Sequence, residues 1–108
     1  MHPHEIPTVE PREVVDEILL DVREDDEWAA GRAPHAVHIP LYDLPERLAE
    51  IPEGRPLSVV CRVGGRSAQA TTWLRAQGVE ARNVRGGMLA WAAAGLPIEG
   101  DSDRAWIV

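Results

Sequence analysis

The one thiol in this chain, Cys61, stands in the stretch Val59-Val60-Cys61-Arg62-Val63-Gly64-Gly65-Arg66-Ser67. The cysteine should end a buried β-strand, and a helix should begin some six residues later. So short a connection, with two glycines in it, can curl its backbone N–H groups inward as an anion-binding nest. The helix N-terminus adds its partial positive charge. A thiolate at the centre of that cup is stabilised, and the thiolate is the reactive form of cysteine. The helix dipole contributes at most about 2 kcal/mol, so converging N–H groups and the Arg66 guanidinium are expected to supply the rest. Arg62 and Arg66 also set two cations beside the nucleophile in a chain of net charge −7, a local inversion that suits an anionic substrate.

Each of these residues taken alone has a plainer meaning. A cysteine at a strand end is usually a small buried hydrophobe, a glycine pair an ordinary turn, and an arginine a surface charge. The ordered combination, a strand followed by Cys-x-x-Gly-x-Arg-Ser and then a helix, is what points to chemistry.

The elements that must hold this loop follow from the apolar spacing. Short strands are expected at Ile6 to Val9, Ile18 to Leu20 ending at Asp21, Ala36 to Ile39, Leu57 to Val60 and Ala81 to Val84. Between them, Pro11 opens a helix containing Val14 and Val15, and Glu24 to Ala30 forms a helix capped by Gly31. Leu41, Leu44, Leu48 and Ile51 have helical spacing, with an irregular first turn at Pro45, and Pro52 with Gly54 makes a turn. Ser67 to Gln77 is the clearest helix, closed by Gly78, and Gly87 to Ala94 is the last, closed by Gly95. The tail is polar from Asp101 until Trp106-Ile107-Val108, which can pack back on the body. Strand-helix alternation implies an α/β sandwich with a mostly parallel sheet of about five short strands flanked by helices. Ligands of such sheets bind beyond the carboxyl ends of the strands, which puts Asp21 and Cys61 on the functional edge.

Bulk properties narrow the classes further. At 108 residues roughly 65% of the unfolded surface can be buried, enough for one core without staples. A single cysteine allows no internal disulfide and no cysteine-cluster metal site. All eleven basic residues are arginine, so Schiff-base chemistry through lysine is excluded. The negative balance argues against nucleic acid. No apolar run reaches membrane length, and Met1 to Glu5 lacks the pattern of a signal peptide. The expectation is a monomeric, cytoplasmic domain spanning residues 1–108.

Several residues outside the loop carry expectations of their own. Asp21 and Arg23 should form a buried pair bracing loops. Trp28, Trp73 and Trp91 should anchor the core, and His38 should be a hydrogen-bonded structural residue. His2, His4 and His35 have no metal-ligand spacing. Gly86-Gly87 allows either of two readings: a second backbone segment approaching the mouth of the loop, with Met88 at its rim, or a tight strand-to-helix turn.

Four stretches in order resemble the rhodanese-homology family over nearly the whole chain. Leu20-Asp21-Val22-Arg23 with Glu27-Trp28-Ala29-Ala30-Gly31 looks like its first signature, and Ala36-Val37-His38-Ile39-Pro40 is similar to the segment after it. Cys61 to Ser67 is similar to its active-site loop. Val84-Arg85-Gly86-Gly87, with Trp91 and Gly95-Leu96-Pro97, resembles its terminal signature. The chain departs at Arg32-Ala33-Pro34-His35, where the family more often has His-Ile-x-Gly.

The resemblance implies a three-layer rhodanese-like sandwich and sulfur transfer through a persulfide on Cys61. Arg62, Val63, Gly64, Gly65, Arg66 and Ser67 would form the substrate loop, with Asp21 and Arg23 supporting it. It implies a small anionic sulfur donor such as thiosulfate, a thiol or protein acceptor, and no metal or organic cofactor. Two other classes compete. Phosphatases or arsenate reductases of related architecture resemble this loop with one residue more between cysteine and arginine, whereas four residues separate Cys61 from Arg66 here. A non-catalytic interaction module could use the same fold, although inactive relatives usually lack the cysteine. Dithiol redox chemistry lacks a resolving cysteine.

Overall fold

The structure, a computed structural model, describes residues 6–53 and 55–108. Gly54, expected to share a turn with Pro52, and the N-terminal residues, including His2 and His4, lie outside the described residues. Five short strands form one wholly parallel sheet: β1 (Thr8–Val9), β2 (Leu19–Asp21), β3 (Val37–His38), β4 (Leu57–Val60) and β5 (Ala81–Val84), in the spatial order β1-β5-β4-β2-β3. Three helices accompany them: α1 (Asp25–Ala30), α2 (Gly65–Ala76) and α3 (Gly87–Ala93).

Parallel strands are covered on both faces and read as continuous apolar runs, and β4 shows this at every position: all four of its residues are buried. Alternate side chains go to opposite cores. Leu57, Val59 and Cys61 join Leu20, Val22, Ile39 and Ala81 under α2, whose Ala70 and Leu74 close that layer. Val60, Leu19, Val9 and Val84 face the other way, against Met88 and Trp91 of α3. The Trp91 indole N–H donates to the Pro97 carbonyl at 2.8 Å, so its polar atom is satisfied in the core. The α/β sandwich expected from the pattern, in the three layers that the resemblance implies, is the observed fold.

Three local expectations need correction. The segment after Pro11 makes one 3-10 turn, Pro11–Glu13, and the β-branched pair Val14-Val15 falls beyond it, since such side chains lose rotamer freedom in a helix. Leu41 to Ile51 is two 3-10 turns, Leu41–Glu46 and Leu48–Glu50. Pro45 has no N–H to give back to Leu41, so an α-helix cannot propagate through it, yet Leu44 and Ile51 still reach the core. Gly31 ends α1 in extended backbone at φ −175° and not in a left-handed cap. Its missing side chain serves close approach: a Cβ there would lie 2.3 Å from the Trp106 carbonyl oxygen.

Candidate active site

Helix α2 begins at Gly65, two residues before Ser67, so only Arg62 to Gly64 separate Cys61 from its first turn. Glycine is a poor helix former, which hides this start in the sequence. In a first turn, however, N–H groups have no intrahelical partner, and here two of the donors at this junction have a ligand inside the protein. Cys61 is 1% exposed. Its Sγ lies 3.1 Å from the Gly64 N–H, 3.3 Å from the Ser67 N–H and 3.2 Å from the Ser67 hydroxyl oxygen. Gly64 takes φ +120° to make this turn, a conformation that side chains rarely adopt.

A second backbone segment does approach the loop. The N–H groups of Met88 and Leu89, in the first turn of α3, donate to the Cys61 and Arg62 carbonyls at 2.8 and 3.0 Å. Two carbonyls that would otherwise compete for the loop's N–H groups are thereby held from outside. Gly87 is at φ +60°, and a Cβ on it would stand 2.4 Å from the Cys61 carbonyl oxygen. Met88, expected at the rim, is instead fully buried in the core beneath, because the helix turns inward immediately after the glycine pair.

Arg66 has a partner that the expectation did not include. Its two terminal nitrogens reach the Glu27 carboxylate at 2.6 and 2.9 Å, so α1 matches its charge directly across the loop, with a smaller attraction left for the Cys61 sulfur. The Arg66 hydrogen bonds bring the Glu27 carboxyl down to about 2, against the opposing effect of its burial. The same pairing raises the Arg66 guanidinium further above its already high range. Arg62 is exposed, and its Nε donates to the Val108 carbonyl at 2.7 Å. Val63 stands 55% exposed between them.

Asp21 and Arg23 form a wholly buried ion pair. Arg23 Nε and Nη2 donate to the carboxylate at 3.0 and 2.8 Å. Two further guanidinium hydrogens go to the carbonyls of Gly31 at 2.7 Å and Glu27 at 3.3 Å. The pair therefore ties the end of β2 to the carbonyl end of α1, and α1 carries the Glu27 that holds Arg66. His38 Nε2 donates to the Arg23 carbonyl at 2.7 Å, which assigns its proton to Nε2 because a carbonyl only accepts. Trp28 is half-buried and not a core anchor; its ring lies between His38, stacked at 4.7 Å, and the Arg32 guanidinium at 4.9 Å. Trp73 is half-buried against the α2 core, and Trp91 is buried.

The departure at residues 32–35 has a simple backbone consequence. His35 takes φ +65°, the one non-glycine residue with positive φ among those described, where the resembling family more often carries glycine. The tail folds back as expected: Asp101 and Trp106 donate backbone N–H bonds to the Ala29 and Ala30 carbonyls, and Ile107 packs into the α3 core.

Two residues that complete the site escaped the sequence reading as functional groups. Glu27 appeared only as part of a signature. Asn83 was read as one position of the strand β5, yet its side-chain oxygen lies 2.6 Å from the Ser67 hydroxyl and its Nδ2 donates to the Gly64 carbonyl at 3.3 Å. Asparagine is depleted in strands, and that misfit beside the loop-bearing strand was the available signal. Among the described residues, no group of three or more His, Cys, Asp or Glu could hold a metal ion, and no helix is long and apolar enough to cross a membrane.

Comparison with known proteins agrees with this geometry. The family model described as Rhodanese-like domain matches residues 9–94. A protein of Allochromatium vinosum named a sulfurtransferase is 44% identical over 84 residues, covering 77% of this chain and 78% of that one. The crystal structure of a rhodanese-like domain protein from Staphylococcus aureus superposes with a TM-score of 0.77 at 33% identity, over 88% of this chain and 100% of that one. A thiosulfate sulfurtransferase from Pseudomonas aeruginosa gives a TM-score of 0.79 at 27% identity; there 93% of this chain corresponds to only 21% of a longer one. With that family model matched over most of its length and a relative 44% identical over 77% of it, this chain belongs to the rhodanese-like domain family.

Proposed function

We propose that the protein is a sulfurtransferase that carries sulfane sulfur on Cys61. The observation that carries this reading is the cup itself: one buried sulfur with two backbone N–H groups and a hydroxyl oxygen within 3.3 Å of it. Relatives named as sulfurtransferases support the reaction class, and the thiosulfate sulfurtransferase among the similar structures supports an anionic donor of that kind.

The Cys61 thiolate attacks the outer sulfur of thiosulfate. The sulfur–sulfur bond of the donor breaks, sulfite leaves with the bonding pair, and Cys61 becomes a persulfide. This covalent intermediate divides one transfer into two easier steps. The terminal sulfur keeps the negative charge that the thiolate brought, and the loop N–H groups hold that charge without reorganising. A thiophilic acceptor then takes the terminal sulfur and returns the thiolate: cyanide in an assay, a thiol or protein partner in the cell. Arg62, exposed at the loop, draws the anionic donor; Arg66 and Glu27 hold the first turn of α2 in place; Asp21 and Arg23 hold α1. Val63, Gly64, Gly65 and Ser67 shape the cup. The reading includes a monomeric cytoplasmic protein acting without a cofactor and without nucleic acid or membrane as partner.

A phosphatase fits less well, because Arg66 gives both terminal nitrogens to Glu27. The deciding experiment is Cys61→Ser. Thiocyanate production from thiosulfate and cyanide should fall to background while the circular dichroism spectrum is unchanged. Turnover well above background in the folded variant would exclude Cys61 as the sulfur carrier.

A further inference from the structure

Ser67 presents a counting problem. Its hydroxyl has one proton, yet its oxygen lies 2.6 Å from Asn83 Oδ1 and 3.2 Å from Cys61 Sγ. The orientation of the Asn83 amide settles where the proton rests. The Gly64 carbonyl already accepts the Ala68 N–H at 3.0 Å and lies 3.3 Å from the other end of the amide. A carbonyl can only accept, so that end is the NH2 group, and the end facing Ser67 is the amide oxygen. An amide oxygen cannot donate, so the short contact holds the Ser67 proton. The Ser67 oxygen then turns a lone pair to Cys61, which suits a thiol, whose S–H donates. It does not suit a thiolate or persulfide, which can only accept.

Resting on the sulfur-transfer reading, we infer that Asn83 is a positioning residue that sets where the Ser67 hydroxyl points: to the amide oxygen while Cys61 is a thiol, and to the sulfur once it is a thiolate or persulfide. No covalent bond of Ser67 breaks in the change. The thiol proton leaves to water or buffer, and the hydroxyl rotates about its C–O bond to donate to the new charge. Asn83 opposes ionisation by the strength of one hydrogen bond, and the negative sulfur restores it. The device sits on rigid scaffold. Asn83 is paired with Thr8 on one side and Val59 on the other within the sheet, and its own N–H donates to the Pro7 carbonyl at 2.8 Å. Its side chain is thus held between the loop carbonyl and the hydroxyl, where a loop residue could drift.

The test follows the rate of Cys61 alkylation by iodoacetamide against pH, which reads the thiolate without any sulfur donor. It therefore stands or falls separately from sulfur transfer. Asn83→Ala frees the hydroxyl to serve the sulfur alone, so the midpoint of the profile should move down by about half a unit to one unit, the equivalent of one neutral hydrogen bond. Ser67→Ala removes the donor and should move the midpoint up. In the Ser67→Ala background the downward shift from Asn83→Ala should shrink or vanish, because Asn83 acts through the hydroxyl. Asn83→Val, with a side chain that strands favour, is the second variant should the alanine form be unstable, and it carries the same expectation. An upward shift, no shift, or a downward shift undiminished without Ser67 would overturn the assignment.

Discussion

The sulfur cup and the brace beside it solve the same task, holding charge near a buried loop, by opposite means. Around Cys61 the polar neighbours are neutral: two backbone N–H groups and one hydroxyl oxygen, each within 3.3 Å of the sulfur. A few ångströms away the brace is ionic throughout, Asp21 with Arg23 and Glu27 with Arg66. The difference teaches where charge is useful. A fixed guanidinium on the sulfur would hold thiolate and persulfide alike, and binding two states equally does not speed their exchange. Neutral dipoles in a dry site can be aimed at one position and need no counterion. The full charges are therefore paired with each other, where they fix helices, and the sulfur is left to short contacts with backbone N–H groups and a hydroxyl.

That contrast predicts two kinds of damage. The largest effect should come from Asp21→Ala, which leaves the Arg23 charge buried and without its carboxylate. Removing one partner of a buried pair typically costs about 3–5 kcal/mol, so a urea titration should show a loss of that order, and the remaining folded protein should be inactive or nearly so because α1 has lost its anchor. Gly87→Ala comes next. Its Cβ would press on the Cys61 carbonyl, push the loop and misplace its N–H groups. One misplaced donor costs roughly 3 kcal/mol of transition-state stabilisation, about a hundredfold in rate. Thiosulfate–cyanide kinetics should show that loss mainly in kcat, with a smaller stability change than for Asp21→Ala. If Gly87→Ala lowers stability alone and leaves kcat near normal, the cup is not built by the approach of α3.

The smallest effect belongs to the partly exposed pair, Glu27 with Arg66. Glu27 has its carboxyl depressed from 4.5 to about 2 by Arg66. A depressed carboxylate stabilises the fold fully above its unfolded value and ceases to do so as pH falls through its folded value. The contribution of Glu27 is therefore whole above about pH 4.5 and fades between there and pH 2. Glu27→Gln should flatten the stability–pH curve in that acid window. At neutral pH it should cost only about 1 kcal/mol, since the Arg66 side of the pair is a third exposed. A curve identical to that of the unmodified protein between pH 5 and pH 2 would contradict the pairing, and the pH range to scan follows from the depressed value.

The parts of this architecture that were legible in advance share one property: they depend on neighbours in the chain. β4 was read to the residue because a parallel strand buried on both faces declares itself as a largely apolar run, while β5 shows only its apolar ends, Ala81 and Val84. The loop was legible because strand, cysteine, glycines and helix are contiguous. Gly86-Gly87 was ambiguous, since a tight turn and a close approach both need glycine, and only packing of α3 on the loop decides between them. What stayed hidden was set by tertiary contact. Glu27 and Arg66 are 39 residues apart, and Ser67 and Asn83 are 16 apart, so neither pairing has a local signature. The Glu27 partner of Arg66 stayed hidden for that reason: the carboxylate comes from another element.

The central claim is that Cys61 holds a sulfur atom between donor and acceptor, and intact-protein mass spectrometry at high resolution tests it most directly. Protein incubated with thiosulfate, freed of the reagent and measured without reductant, should gain the mass of one sulfur atom. The gain should map to Cys61, disappear on treatment with cyanide or dithiothreitol, and be absent from Cys61→Ser. An unmodified mass after exposure to thiosulfate, or a gain that matches two oxygen atoms and resists dithiothreitol, would contradict the account.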